Sequence, residues 1–206
     1  PASTGLEVPR PLAPLRGTLL AAADPVVVIL PDSGPTDRDG NSPLGVAAST
    51  YRLLAEALAA DGVSSVRVDK RGMFGSAGAI ADANQVTIAD YAADARSWAR
   101  KAAEATGARC AWLLGHSEGA LVAEVAAQGG VEGICGLVLV SGPGRKLGDV
   151  IREQLTSNPA NQPVLPQALT TLSELEAGRR VDDTALHLAL RPLFAAAVQG
   201  FLIDEL

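Results

Sequence analysis

Four short apolar runs before residue 143 have the length and composition of buried β-strands. They are bounded by Gly, Pro, Asp or Ser and read PVVVIL (25–30), SSVRVD (64–69), CAWLLG (110–115) and GLVLVSG (136–142). Segments with the helical spacing of apolar residues separate them, at 51–62, 87–107 and 117–130. Strands that alternate with helices and are apolar along their whole length predict a mostly parallel sheet covered by helices on both faces, which is an α/β fold.

The two ends of the chain carry different patterns. Residues 1–14 are rich in Pro and lack periodicity, which predicts an extended lead-in, and LRGTLLA (15–21) alternates enough to predict an edge strand. After Gly142 the alternation stops, and the rest of the chain is predicted as helices with Pro-containing breaks and no strand. We therefore expect a core over residues 1–144 and a helical cap over residues 145–206, laid over the crevice at the carboxyl ends of the strands.

Composition narrows the function classes. A chain of 206 residues with 48% hydrophobic residues can bury one sizeable core. The net charge of -6 leaves no basic stripe for a phosphate backbone, so nucleic acid is not an expected partner. The longest apolar runs are strand-sized, so no membrane partner is expected and a soluble protein is predicted. Because the first residue is Pro1, processing of a leader is one interpretation, and the compartment stays open between secreted, periplasmic and cytoplasmic.

Two cysteines, Cys110 and Cys135, each lie near the start of a predicted strand. If those strands are parallel neighbours, the two sulfur atoms lie at similar depth and a disulfide can form. The alternative is a pair of small buried apolar side chains. The sequence leaves both interpretations open.

The segment WLLGHSEGALVAEVA combines a strand, a Gly-x-Ser-x-Gly motif and a helical pattern. A sharp strand-to-helix turn is crowded, which explains glycines at Gly115 and Gly119 on either side of His116, Ser117 and Glu118. The turn would hold the Ser117 hydroxyl at the mouth of the crevice, above a helix N-terminus that favours negative charge. The backbone N–H of Glu118 would then point to the position of an oxyanion. This context predicts Ser117 as a nucleophile.

Two further loops follow predicted strands, PDSGPTDRDGN (31–41) and DKRGMFGS (69–76). Together with GHSEG (115–119), these motifs resemble those of α/β-hydrolases of the bacterial esterase and serine-aminopeptidase-like branch, and the resemblance covers about residues 15–206. It implies an α/β-hydrolase fold with a helical cap. It also implies that the backbone N–H of Ser33, next to Gly34, is the second oxyanion donor.

The resemblance assigns roles to other loop residues and shows one departure. Asp32 stands where the family pattern has Gly, and its carboxylate would disfavour an oxyanion unless the side chain turns away. Asp69 and Arg71 are expected to tie neighbouring loops together by charge-assisted hydrogen bonds, with substrate contact as the alternative. Asp37, Asp39 and Asn41 occupy every second position, which superficially suggests a calcium loop. The later positions of the loop do not fit one, so no metal is expected, and no cofactor is expected either.

A serine nucleophile needs a base, usually a histidine oriented by a carboxylate. The chain has two histidines, His116 and His187. His116 is expected to point away from the turn, and His187 to be a partly buried histidine of the cap. Asp149 is a fallback acid. The resemblance implies further strands with the catalytic Asp and His beyond Leu206, so we expect an N-terminal part of a longer hydrolase that is weak or inactive by itself and that associates with its missing segment or as a homo-oligomer.

The predicted function is hydrolysis of an ester or a related acyl bond in a small-molecule substrate through an acyl-enzyme on Ser117. Aminopeptidase or thioesterase chemistry on the same turn is one alternative. A catalytically silent module of the same fold that binds a ligand is another, suggested by Asp32 and the missing triad members.

Overall fold

The structure is a computed structural model that describes residues 2–206. The chain forms two compact units, divided between Gly142 and Pro143. The first unit contains a six-stranded sheet with helices packed on it. The second unit consists of helices and turns.

The sheet of the first unit has the strand order β1-β2-β6-β3-β7-β8. Strands β6, β3, β7 and β8 are parallel to one another, whereas β2 pairs antiparallel with β1 on one side and with β6 on the other. The strands are β1 Ser3–Val8, β2 Leu15–Leu20, β3 Ala23–Leu30, β6 Val63–Val68, β7 Ala111–His116 and β8 Ile134–Val140, and a separate hairpin holds β4 Asn41–Ser42 and β5 Val46–Ala47. This mostly parallel sheet confirms the predicted α/β class.

The antiparallel end of the sheet corrects two predictions. Residues 3–8 form a strand of the sheet, where the sequence predicted only an extended lead-in over residues 1–14. The strand over 15–20 is consequently an interior strand, paired with β1 on one side and β6 on the other. Strand β1 is largely exposed and has no apolar run, so its pairing with β2 decides its structure and its own sequence gives no signal.

Three helices pack on the sheet: α1 Thr50–Ala60, α2 Ile88–Thr106 and α3 Glu118–Ala127. Side chains alternate across β3, so Val27 and Ile29 face one way and pack with Tyr51 and Ala55 of α1. Helices α2 and α3 pack on each other and on β3 and β7. Trp98 of α2 is buried there. Helices thus cover both faces of the central strands, as predicted, whereas Val138, Leu139 and Val140 of β8 are exposed.

The second unit has its own small core. Its helices are α4 Leu147–Ser157, α5 Leu165–Glu176, α6 Arg191–Phe194 and α7 Ala196–Glu205. Short 3-10 helices occur at Pro159–Asn161, Asp183–Ala185 and Leu188–Leu190 in this unit, and at Phe74–Ala79 and Ala83–Gln85 in the first. The core consists of Leu172, Leu175, Leu190, Phe194 and their neighbours. No strand occurs in residues 143–206, all of which the structure describes.

The two cysteines are bonded to each other. Cys110 precedes β7 and Cys135 lies in β8, and these strands are parallel neighbours. The disulfide joins their Sγ atoms, and their Cα atoms lie 5.3 Å apart. Of the two interpretations that the sequence left open, the structure has the disulfide.

Candidate active site

Ser117 occupies the single-residue turn between β7 and α3. Its backbone has φ 54° and ψ −116°, a conformation that costs energy for a residue with a Cβ. The N–H of Ser117 donates to the carbonyl oxygen of Val140 at 2.9 Å, which anchors the turn to the end of β8. The side chain is half-buried, and its hydroxyl forms no hydrogen bond within residues 2–206. Ser117 therefore lies at the sheet rim and outside any regular helix.

The glycines on either side of Ser117 are required by close backbone contacts. A Cβ on Gly115 would overlap the carbonyl group of Gly119, and a Cβ on Gly119 would overlap the carbonyl oxygens of Leu30 and Pro31. The second overlap involves the end of β3, so Gly119 lets α3 approach the neighbouring strand. The Gly-x-Ser-x-Gly spacing is thus explained by the packing of this turn.

Two backbone N–H groups close to the turn have no hydrogen-bond acceptor in the described part of the chain. One belongs to Glu118, the first residue of α3, where a helical N–H has no intrahelical partner. The other belongs to Ser33 in the loop after β3. Leu30 pairs with Gly115 in the parallel sheet, so Ser33 and Ser117 follow paired ends of neighbouring strands. These are the two donors that the sequence analysis named for an oxyanion.

Asp32, the departure from the family pattern, is held by Tyr51. The N–H of Asp32 donates to the Tyr51 hydroxyl oxygen at 3.0 Å. That hydroxyl lies 2.8 Å from Nδ1 of His116, which accounts for the direction of the His116 side chain. Burial raises the pKa of Tyr51 far above its usual value, and the nearby carboxylates of Asp32 and Glu118 raise it further. One oxygen of the Asp32 carboxylate is buried and has no partner among residues 2–206.

Asp69 joins two loops of the site. Its carboxylate accepts hydrogen bonds from the backbone N–H of Arg38 at 2.9 Å, from the Arg38 guanidinium at 2.5 and 3.0 Å, and from the N–H of Gly75 at 3.0 Å. Only 3% of the Asp69 side chain is exposed. The loop after β3 and the loop after β6 are therefore fixed to one buried carboxylate.

Arg71 pairs with a residue that sequence analysis missed. Its guanidinium donates to both oxygens of Asp94 in α2, at 2.9 and 2.6 Å. Arg10 donates to the same carboxylate at 2.6 and 2.9 Å. The hydrogen bond to Asp94 is the main reason that the pKa of Arg71 is raised. A signal was present, because Asp94 lies at helical spacing between Tyr91 and Trp98 on the buried face of α2.

Lys70 is the second residue that sequence analysis missed, although it lies within the quoted DKRGMFGS motif. Its ammonium group donates to the carbonyl oxygen of Asp32 at 2.6 Å and to the Glu118 carboxylate at 3.1 Å. It also lies 5.6 Å from the centre of the Tyr91 ring. Lys70 and Glu118 are both buried and line a small cavity with Asp69 and Asp94. The other Glu118 carboxylate oxygen has no partner within residues 2–206.

Two further candidate residues, His187 and Asp149, lie in the second unit. His187 is exposed, where the sequence predicted partial burial, and its Nδ1 accepts from the N–H of Ala189 to cap a 3-10 turn. Asp149 lies in the first turn of α4, 3.8 Å from the Arg152 guanidinium. Over residues 2–206, no cluster of three or more His, Cys, Asp or Glu has the arrangement of a metal site. No helix in that range has the length and apolar content of a membrane span.

The fold and the turn at Ser117 define the class: the protein is an α/β-hydrolase. The chain belongs to the serine aminopeptidase S33 family, whose sequence model matches residues 44–181, more than half of the chain. Ser117 and Lys70 lie inside the matched range. No curated protein matches the sequence.

Several solved structures share the fold. Alpha/beta hydrolase domain-containing protein 10 of mouse has a TM-score of 0.56 at 17% identity, over 88% of this chain and 62% of its own. A thermostable carboxyl esterase of Bacillus coagulans has a TM-score of 0.57 at 17% identity, over 85% and 55%. An esterase of Pyrococcus furiosus has a TM-score of 0.57 at 20% identity, over 77% and 58%. The present chain thus spans less than two thirds of each of these proteins.

Proposed function

We propose that this hydrolase cleaves an ester or a related acyl bond by forming an acyl-enzyme on Ser117. The Ser117 oxygen attacks the acyl carbon while its proton passes to a general base, and the protonated base then gives that proton to the departing leaving group. Water hydrolyses the acyl-serine by the same proton route. The negative charge of each tetrahedral intermediate is stabilised by the N–H groups of Glu118 and Ser33. The assignment of these two donors belongs to the proposal.

One observation carries this proposal. The Ser117 hydroxyl stands on a strained single-residue turn, and two amide groups without acceptors follow the ends of β3 and β7 beside it. Strain of this kind persists only where the surrounding structure enforces it, and it is concentrated at functional sites. An ordinary structural serine would require neither the strain nor the two crowded glycines.

The general base is proposed to come from outside the first unit. His116 is the one histidine of that unit, and its Nδ1 bonds to the Tyr51 hydroxyl. A base must reach the Ser117 hydroxyl through a ring nitrogen, and loss of a base costs about a million-fold in turnover in a serine hydrolase. We accordingly propose slow turnover for the present chain.

Covalent labelling with a fluorophosphonate tests the proposed nucleophile. We expect one adduct per chain, located on Ser117 by peptide mass spectrometry, and complete loss of the adduct in Ser117→Ala. The matched control is Ser157→Ala, since Ser157 is an exposed serine at the end of α4. An unlabelled parent protein, or an adduct that persists in Ser117→Ala, contradicts the proposal.

The leaving group distinguishes ester hydrolysis from the related alternatives. Aminopeptidase and thioesterase chemistry would use the same serine and the same donors. Measured side by side, aryl esters, acyl thioesters and aminoacyl anilides should be cleaved in that order if ester hydrolysis is the main activity. Faster cleavage of the anilide would support an aminopeptidase.

A second candidate is a catalytically silent module that binds a ligand in the same crevice. The Asp32 carboxylate favours it, because negative charge beside the Ser33 N–H opposes an oxyanion. In that case Asp32→Gly, which restores the family pattern, should leave the protein unlabelled. A rise in labelling rate in Asp32→Gly would instead support a hydrolase weakened by that carboxylate.

A further inference from the structure

Lys70 connects the two proposed oxyanion donors. Its ammonium group binds the carbonyl oxygen of Asp32 at 2.6 Å, and that carbonyl belongs to the same peptide unit as the N–H of Ser33. It also binds the side chain of Glu118 at 3.1 Å, and Glu118 supplies the other N–H. One buried cation therefore contacts the peptide group that carries one proposed donor and the side chain of the residue that carries the other.

The geometry of the peptide bond makes the first contact directional. The bond between Asp32 and Ser33 is trans, so its C=O and N–H point in opposite directions. A donor that fixes the carbonyl on the inner side therefore turns the Ser33 N–H to the outer side. The Tyr51 hydroxyl accepts a hydrogen bond from the N–H of Asp32 at 3.0 Å. The N–H and the C=O of Asp32 are therefore both hydrogen-bonded, which restrains rotation of the backbone at this residue.

Lys70 is well suited to hold this peptide. It is 8% exposed, so its bonds to the carbonyl and the carboxylate have little competition from water. The Glu118 carboxylate and the Tyr91 ring offset its charge. A buried ion pair is a costly way to stabilise a fold, which favours a role in fixing geometry.

We propose that Lys70 is a positioning residue that orients the Asp32–Ser33 peptide so that the Ser33 N–H faces the Ser117 hydroxyl. The inference rests on the proposed function, because it gives that N–H a role in catalysis. It makes a separate structural claim as well, which is that the orientation of one peptide depends on the Lys70 ammonium group.

The sequence allows this peptide to be observed alone. Asp followed by Ser occurs once in the chain, at 32–33. Protein made by cell-free synthesis with 13C-carbonyl Asp and 15N Ser should give a single cross-peak in an amide-to-carbonyl correlation spectrum. In Lys70→Met we expect the carbonyl resonance to move to lower frequency, since the carbonyl loses its charged donor, and the amide resonance to move with it.

Three variants make this result specific. Lys101→Met removes a partly exposed lysine paired with Glu104 and should leave the cross-peak in place. Lys70→Arg keeps a cationic donor and should return the cross-peak towards its original position. Lys70→Met combined with Glu118→Gln removes the unpaired buried charge, so the measurement remains possible if Lys70→Met alone fails to fold.

Labelling kinetics supply the functional test. In Lys70→Met the maximal rate of fluorophosphonate labelling should fall about 100-fold or more, as for the loss of one oxyanion donor. The probe concentration at half-maximal rate should change little, because the donor acts after binding. Lys70→Arg should recover part of the rate. If Lys70 only stabilised the fold, Lys70→Met would lower the unfolding midpoint, but it would not lower the maximal labelling rate at an unchanged half-maximal probe concentration.

Different results would contradict the positioning role of Lys70 and the role of Ser117 as the nucleophile. If the cross-peak of Lys70→Met lies at the same position as that of Lys101→Met, the positioning role is wrong, whatever the labelling rates are. A shifted cross-peak with an unchanged labelling rate also overturns it, since the orientation would then not matter for reaction. If the parent protein is not labelled at all, the proposed nucleophile is wrong, while the cross-peak still decides whether Lys70 holds the peptide.

Discussion

The two units of the chain treat charge in opposite ways. Over its described residues, 2–142, the first unit buries five charged side chains, namely Arg67, Asp69, Lys70, Asp94 and Glu118. The second unit, all of whose residues the structure describes, buries none, and its buried polar side chains are Thr171 and Gln199. Its ion pairs join half-exposed or exposed side chains, such as Arg145–Glu153 and Arg179–Glu174.

This difference shows where the protein fixes the positions of loops with buried charges, although burial of charge is unfavourable. Removing a charge from water costs several kcal/mol even after relaxation, so buried ions are retained only with good partners. In the first unit those partners hold the loops that follow β3 and β6, beside the turn at Ser117. In the second unit a helical core of Leu and Phe suffices, and surface pairs add little.

The largest effect is expected from Asp69→Asn. The substitution keeps the side-chain shape but leaves the Arg38 guanidinium without a charged partner and turns one acceptor into a donor. We expect a loss of about 3–5 kcal/mol in the free energy of unfolding, as for a buried pair broken on one side. Urea unfolding followed by tryptophan fluorescence measures it, because Trp98 and Trp112 both lie in the first unit.

The control for this variant is Glu132→Gln, which neutralises an exposed carboxylate of the same unit. Its midpoint should match that of the parent. A loss below about 1 kcal/mol in Asp69→Asn, the size of a surface pair, would show that the buried and exposed networks are equivalent and would break the comparison.

Much of the first unit could be predicted from the sequence because apolar periodicity is a local property. The four parallel strands and three helices occur where the pattern placed them, with ends shifted by up to three residues. Strand β1 could not be predicted, since STGLEV has no apolar run and only the pairing with β2 makes it a strand. Ser117 could be found because crowding at one turn requires glycine at Gly115 and Gly119, on either side of it.

The partners of the site residues were not predictable in the same way. Lys70 meets Asp32 and Glu118 at sequence separations of 38 and 48 residues, and Tyr51 meets His116 at 65. Contacts of this kind depend on the strand order, which the pattern of apolar residues does not specify. The disulfide between Cys110 and Cys135 required the same knowledge, namely that β7 and β8 are neighbours.

A smaller effect is expected from Gln199→Met in the second unit. The Gln199 side chain is fully buried, and its amide donates to the carbonyl oxygens of Val181 and Phe194 and accepts from the N–H of Val181. Methionine fills the space but leaves these backbone groups without partners, at a cost of about 1–3 kcal/mol. Far-UV circular dichroism during urea unfolding measures the loss. Gln162→Met, at an exposed position before α5, is the control.

A still smaller loss of stability in the second unit is expected when acid protonates Glu176 and breaks its ion pair with Arg152. The Arg152 guanidinium, through its hydrogen bond, lowers the pKa of Glu176 from its ordinary value of 4.5. A carboxyl whose pKa is lower in the folded state stabilises that state above its ordinary pKa, and this contribution disappears as the pH falls through the folded value. The contribution is therefore complete well above pH 4.5 and is lost progressively as the pH falls below that value. Glu176→Gln should lose less stability over this range than the parent, and an identical loss would contradict the assignment.

The smallest effect is expected from Arg179→Ala. Arg179 binds Glu174 through two hydrogen bonds, at 2.6 and 2.9 Å, and this pair holds the pKa of Glu174 below its usual value. Both side chains are exposed by more than a third, so water and salt screen the attraction and the ordering of two long side chains opposes it. The unfolding midpoint of Arg179→Ala should equal that of the parent at both low and high salt. A fall in midpoint at low salt that approached the effect of Asp69→Asn would show that good hydrogen-bond geometry alone, without burial, stabilises an ion pair in this protein, and burial would then not explain the contrast between the two units.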